Sequence, residues 1–257
     1  MTAALADLLG LAQVLLWQGF VTFLRVGPVM ALLPAFGEQS VPARVRLALG
    51  LGFTMICAPG APPAPVQPEN GLVYLLLAET AVGLTIGIGI RMFVLALQTA
   101  GSIAAQATSL AQVFGGVASE PMPAIGHVLV IAGLALAVMS GLHVRVAELM
   151  IWSYQTFPTG RFPAAPALSD WGIHQVAKAF SLAFTLASPF IIVSVLYNLT
   201  LGVINRAMPQ LMVAFVGAPV ITAGGLILLF LLAPLMLSRW RDALSLFLAN
   251  PFAGAGP

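Results

Sequence analysis

Hydrophobic residues run along this chain in long blocks, separated by short interruptions rich in polar residues, glycine and proline. By hydropathy the blocks cover residues 8–36, 41–58, 72–112, 126–152, 171–205 and 209–237. Each is near or beyond the about 20 apolar residues that one helical crossing of a bilayer requires. Only helices and closed barrels satisfy their backbone groups in lipid. The pattern therefore predicts an all-α membrane protein of about six hydrophobic helical segments.

The interruptions differ in kind. Residues 59–71, PGAPPAPVQPENG, are too dense in proline for a helix and carry no basic residue, which predicts a stiff exposed linker off the cytoplasmic side. Residues 153–170 form an irregular connection in which Ser169 or Asp170 is placed to cap the next helix. Residues 238–252, SRWRDALSLFLANPF, predict a short amphipathic helix at an interface, with Arg239, Trp240 and Arg241 at headgroup level. The first apolar block is too long for a cleaved signal peptide and predicts a retained pass.

Composition agrees with a membrane location: 60% of residues are hydrophobic and 7% charged, against roughly 25% charged in a soluble domain. Almost no chain remains for a separate soluble domain, so one membrane domain, residues 1–257, is expected. The formal charge of +2 comes from basic residues scattered singly, which form no patch for nucleic acid. Cys57 is the sole cysteine, so no intrachain disulfide can form, and it reads as a small buried apolar residue. If every segment crosses, Arg44, Arg46 and Arg206 fall on one side and Arg161, Arg239 and Arg241 on the other. That tie leaves the orientation open and is expected where segments depart from a simple serpentine.

Charge also occurs inside the apolar blocks. Arg25, Glu79, Arg91, Arg145, Glu148 and Lys178 all lie there, and each costs about 2.5–3.5 kcal/mol at a helix centre in lipid. They are expected to face protein or water, with Arg145 and Glu148 spaced to pair on one face. Gly83 and Gly87, four apart, mark a surface where two helix backbones approach closely.

The third block changes character at its end. At about 100° per residue, Gln98, Ser102, Gln106, Ser109 and Gln112 share one face, a stripe of uncharged hydrogen-bonding groups. It should meet other polar helices or an aqueous lumen. The stretch QVFGGVASEPMPAIG follows, where Gly115 and Gly116 relax the helical bias and Pro121 and Pro123 break it. Such backbone either joins two helices outside the bilayer or lines a cavity within it. Phe114 and Met122 bear on the choice, because apolar side chains on a movable loop can close a channel by excluding water, but the residues alone leave both readings open.

Catalytic signatures are missing. The sequence has no HExxH, GxSxG or GxxxxGK[ST] motif and no paired cysteines. His127, His143 and His174 sit on different segments. No catalytic residue, metal or cofactor is expected, and an enzyme is the poorest fit. A secondary carrier is the fairer rival, because carriers also use broken helices and intramembrane charge, but they often show two similar halves and no internal repeat is visible here.

Two stretches carry a family resemblance. The segment NLTLGVINRAMPQLMVAFVGAPV resembles the signature of the FliR family of flagellar biosynthetic proteins and its virulence-system counterparts, at Asn198, Gly202, Arg206, Pro209, Gln210, Gly217 and Pro219. Near the start, RVGPVMALLPAFGEQSVPARVRLALGL resembles the family's first turn at Arg25, Pro28, Pro34, Phe36, Gly37, Val41, Pro42, Arg44 and Arg46. The chain departs from the pattern at Met212, where many members have asparagine, and at Ala214, where the aromatic falls one place later at Phe215. The ending at Gly217 and Pro219 looks more flagellar than virulence-type.

The resemblance implies a non-enzymatic core subunit of the type III export gate, multi-pass in the bacterial inner membrane and part of the flagellar basal body. It implies kinked hairpins that coil with FliP-like and FliQ-like subunits into a closed cone, with FlhB-like and FlhA-like proteins at its base and unfolded substrates passing through. By position it makes Phe114, Gly115, Gly116, Val117, Glu120, Pro121, Met122 and Pro123 a channel plug. Arg206, ahead of Pro209, is expected to satisfy carbonyls freed at the hairpin between the fifth and sixth segments or to contact a neighbour.

Overall fold

The computed structural model describes residues 2–66, 68, 71–108, 124–208 and 213–252. These form helices α1 (Thr2–Leu32), α2 (Ala43–Cys57), α3 (Leu72–Thr108), α4 (Ala124–Met139), α5 (Leu142–Thr156), α6 (Ala165–Ala207) and α7 (Val213–Ala249), with one 3₁₀ turn at Ala58–Gly60. No strand occurs among the described residues, and the all-α architecture is as expected.

A count of about six crossings is not confirmed. Among the described residues four stretches are long and apolar enough to span a bilayer: Ala6–Leu32, Leu72–Ala107, Ala165–Ile204 and Val220–Ala249. A fifth exists if the bent pair Ile125–Met139 and Leu142–Thr156 acts as one span. α2 has only 15 residues, about 22 Å at 1.5 Å per residue, and falls short of a hydrocarbon core of about 30 Å. The block over residues 126–152 is split because Gly141 adopts φ 79° at the start of α5, a left-handed conformation that ends α4.

Local chemistry accounts for the other boundaries. Beyond Leu32 the chain turns through Pro34 and Ala35, whose φ of 68° is unusual for a residue with a side chain. The turn is closed by the Gly37 amide donating to the Leu33 carbonyl at 2.7 Å. Pro42 caps α2 with extended backbone, φ −56° and ψ 142°. α6 begins at Ala165, with Pro166 in its first turn, where a fixed φ suits a helix start. Ser169 and Asp170 therefore lie inside the helix, and neither is its cap. The C-terminal amphipathic segment is not a separate helix either, because nothing between Leu235 and Ala249 interrupts α7.

The chain divides into two compact units, Met1–Arg91 with Val138–Gln175 and Ser245–Pro257, and Met92–Ala137 with Val176–Leu244. In the first, α3 is the most enclosed element: Leu75, Ala78, Val82, Ile86 and Ile90 are fully buried along one helical stripe. Gly83 lets α1 lie directly against α3, since a Cβ there would strike the Arg25 carbonyl oxygen. Gly87 would meet Leu32 and the Pro28 carbonyl in the same seam. After the 3₁₀ turn at Ala58–Gly60, the proline-rich linker is strapped to α1 through Pro62, Ala64 and Pro65. Trp17 Nε1 donates to the Pro65 carbonyl at 3.1 Å, Gln18 Nε2 donates to Pro62 at 3.0 Å, and the Ala64 amide donates to Gln18 Oε1 at 2.7 Å.

In the second unit the corresponding seam lies between α3 and α4. A Cβ at Gly101 would overlap the Cα of Gly126, so the two backbones touch. Trp240 on α7 is fully buried here and its indole nitrogen donates to the Phe93 carbonyl at 2.7 Å. Its ring is enclosed by protein and not exposed as an interfacial anchor would be, because a buried indole N–H needs a protein acceptor and has found one.

Candidate functional site

The densest polar site in the first unit is built on Arg25 and Glu79, both fully buried. Arg25 lies on the face of α1 that Gly83 admits to α3, and Glu79 lies one turn before Gly83, so the two side chains meet. Arg25 Nε donates to Glu79 Oε2 at 2.7 Å and Nη2 donates to Oε1 at 3.1 Å, a two-point ion pair. Nη1 donates to Ser153 Oγ at 3.1 Å and Nη2 also donates to the Phe157 carbonyl at 2.9 Å. The guanidinium lies 3.7 Å above the Tyr154 ring. Glu79 Oε1 accepts a further bond from the Gly160 amide at 2.9 Å, where φ of 74° turns the backbone toward the carboxylate.

This arrangement pins α1, α3, the end of α5 and the loop after it to one point. A buried charge pair is tolerable only when its remaining donors and acceptors are matched, and here the loop supplies both a carbonyl and an amide. Arg25 and Glu79 were legible as charges that had to face protein. Ser153, Tyr154 and Gly160 were not, although the polar composition of the stretch after Trp152 is the signal that could have flagged them.

The remaining charges separate into two groups. Arg91 makes a two-point pair with Glu38, partly exposed, with Nη2 to Oε2 at 3.2 Å. Arg145 and Glu148 are both exposed and form no ion pair with each other, contrary to the spacing argument, because both side chains point into an open cavity lined by Trp152, Gln155 and Asn250. Lys178, His127, His143 and His174 are also exposed. Among the described residues no three His, Cys, Asp or Glu side chains come together as metal ligands would. Cys57 is fully buried, and burial pushes its thiol up to about 11.

In the second unit Gln98 and Ser102 are half-buried and Gln106 is exposed, while Leu97, Ala100 and Ala104 on the same helix are buried. The described part of the polar stripe thus lies on the side of α3 that the other described residues cover only in part. Ser109, Gln112 and the plug residues Phe114, Gly115, Gly116, Val117, Glu120, Pro121, Met122 and Pro123 lie outside the described residues. The helices that flank them are joined where Gly101 meets Gly126, a contact that sequence reasoning missed and that isolated glycines in two helical patterns could have suggested.

Of the family-motif positions, Pro42 and Arg44 are exposed, and Arg46 is half-buried with its Nε enclosed and unpartnered among the described residues. Asn198 donates to Ser194 Oγ at 3.2 Å on an exposed face of α6. Gly202 has open space around it, and Arg206 is exposed in the last turn of α6. Pro209 and Gln210 lie outside the described residues, and Gly217 and Pro219 fall within α7.

Residues 16–247 match the family model of bacterial export proteins, family 1. The chain is 32% identical over 237 residues to the flagellar biosynthetic protein FliR of Caulobacter vibrioides, covering 88% of this chain and 94% of that one. It is 29% identical over 224 residues to FliR of Escherichia coli K12, covering 84% of each. It is 28% identical over 237 residues to FliR of Bacillus subtilis, covering 88% and 90%.

Proposed function

The chain belongs to the bacterial export proteins of family 1, among flagellar biosynthetic proteins of the FliR type, and from that premise we propose that it forms part of the wall of the flagellar export channel. As a flagellar export component it has a structural role, and it carries helices fit for several membrane passes. In the proposed role it assembles with FliP-like and FliQ-like subunits and with FlhB-like and FlhA-like proteins in the inner membrane, within the basal body. Unfolded flagellar proteins pass through the resulting conduit.

One observation carries this reading: the chain leaves most of its apolar helix surface uncovered over lengths that exceed a bilayer. α6 has 43 residues, about 64 Å long, and α7 has 37, about 56 Å, against a hydrocarbon core of about 30 Å. Only 28% of the most apolar part of α6 and 17% of that of α7 is buried by this chain. Lipid can cover about half of such a helix, and further protein is needed for the rest. The polar stripe at Gln98, Ser102 and Gln106 supports an aqueous face on the same molecule. The flagellar names of the relatives favour the flagellar over the virulence-type apparatus.

The glycine- and proline-rich loop is proposed as the channel's plug. Glycines 115 and 116 provide backbone freedom, and Phe114, Val117 and Met122 hold the lumen dry without directional bonds that would slow opening. Deleting residues 115–120 is expected to leave assembly intact and to make cells or proteoliposomes leak small ions. Loss of assembly, with no leak in any assembled fraction, would assign the loop to a structural joint.

A further inference from the structure

Within the second unit, the contact between α3 and α4 is unequal on its two sides. A Cβ added to Gly101 would overlap the Cα of Gly126 and lie 2.9 Å from its nitrogen. Both are backbone atoms, so no side chain can turn aside to make room. A Cβ added to Gly126 would instead lie 3.5 Å from the Cα and the carbonyl carbon of Gly101, which is ordinary contact. One added methyl group is thus refused on α3 and accepted on α4. Ala100 and Ala104 on α3 and Leu129 on α4 are fully buried, so the seam has no slack to absorb it.

The contact lies close to where the chain leaves and re-enters these helices. α3 ends at Thr108 and α4 begins at Ala124, two residues before Gly126 and about 3 Å along the helix. Seven residues beyond Gly126, α4 is held a second time. A Cβ at Gly133 would run into Leu97 and approach the Trp240 ring at 3.7 Å, and both of those side chains are buried.

We propose that Gly101 is a positioning residue of the channel's closure: its bare Cα seats α4 on α3 and so sets the separation of the two helix ends that carry the plug. The inference rests on the loop between those ends being the plug. A Cβ at position 101 must part the two backbones by about 1 Å, the step from overlap to contact. Because α4 is held at Gly133, it tilts about that point, and Ala124, farther out than Gly126, moves at least as far. A stopper that closes by apolar contact tolerates little of this, since a gap of about 0.5–1 Å already forfeits a quarter to a half of a van der Waals attraction.

The test is ion leak through the assembled gate in proteoliposomes, with co-recovery of FliP-like and FliQ-like chains as the measure of assembly. Gly101→Ala, Gly126→Ala and the deletion of residues 115–120 are compared with wild type. By helix propensity alone both alanine substitutions favour the fold, so a leak confined to position 101 reports the contact. Gly101→Ala is expected to assemble as wild type does and to leak on the scale of the deletion, and Gly101→Val to leak at least as much. Gly126→Ala should assemble and stay closed. A closed Gly101→Ala gate beside a leaking deletion would overturn the positioning role and leave the plug standing. Equal leak from Gly101→Ala and Gly126→Ala would overturn it too, because the space at Gly101 would then not be the cause. Loss of assembly in Gly101→Ala would assign the contact to folding and remove the positioning role. A deletion that stays closed would remove the plug and this role with it.

Discussion

Removing the carboxylate of Glu79 isolates a fully buried guanidinium, and the cost can be worked from the contacts. Arg25 in a Glu79→Leu variant keeps only Ser153 Oγ and the Phe157 carbonyl as neutral acceptors. Breaking a buried pair by removing one partner costs about 3–5 kcal/mol, a large share of a total stability of about 5–15 kcal/mol. Arg25→Met should cost a similar amount, since Glu79 would then hold only the Gly160 amide. The double variant removes both charges but orphans the Phe157 carbonyl and the Gly160 amide, at about 1–3 kcal/mol each. It should therefore be clearly more stable than the sum of the single losses allows, with a coupling of about 4 kcal/mol at the middle of these ranges, yet less stable than wild type. Cys57 supplies the assay, because it is the only cysteine and is fully buried in the same unit. Its rate of thiol modification against denaturant reports unfolding. Single variants that each lose less than about 1 kcal/mol, or losses that add within about 0.5 kcal/mol, the error of independent sites, would refute the reasoning.

Gly83→Leu should prevent α1 from seating on α3, and protease sensitivity of α1 in membranes is expected to rise strongly, whereas Gly10→Leu, with open space around it, should change little. Native Cys57 should resist maleimide at pH 8, where a thiol titrating at about 11 is ionised in about one molecule per thousand; modification should speed up tenfold per pH unit below that value, and rapid labelling at pH 8 would contradict its burial. Trp240→Ala should destabilise the second unit by about 3–5 kcal/mol through the cavity left behind, and Trp240→Phe by about 1 kcal/mol through the lost bond to the Phe93 carbonyl. Tryptophan emission and thermal unfolding in detergent check both.

Much of the architecture was legible because long apolar blocks admit few solutions in a bilayer. The helical class, the enclosure of Arg25 and Glu79 and the close approach at Gly83 all follow from single-residue arguments about lipid and sterics. What escaped reading depends on pairs distant in sequence. Nothing near Arg25 in the chain announces Phe157 or Gly160 as its neighbours, since these contacts exist only after three helices and a loop have packed. α2 reads as a crossing by hydropathy, but Pro42 and Pro59 bracket it to a length that cannot cross. Trp240 beside two arginines has the composition of an interfacial anchor, and only the position of the Phe93 carbonyl shows that it is buried. The linker at 59–71 was expected to be stiff and exposed; its strapping by Trp17 and Gln18 depends on side chains more than 40 residues away. Of the site, the polar stripe was visible because a 3.6-residue period can be counted, whereas the glycine contact at its base cannot be told from chance in a chain with 25 glycines.

The central claim is that these long, sparsely buried helices complete their packing on other subunits of an export channel. Its most direct test is the mass and composition of the complex obtained when the tagged full-length chain is extracted from native membranes under mild conditions. The account predicts a hetero-oligomer containing FliP-like and FliQ-like chains around a single copy of this one. A stable, monodisperse monomer, recovered alone while those chains are present in the same membranes, would contradict it.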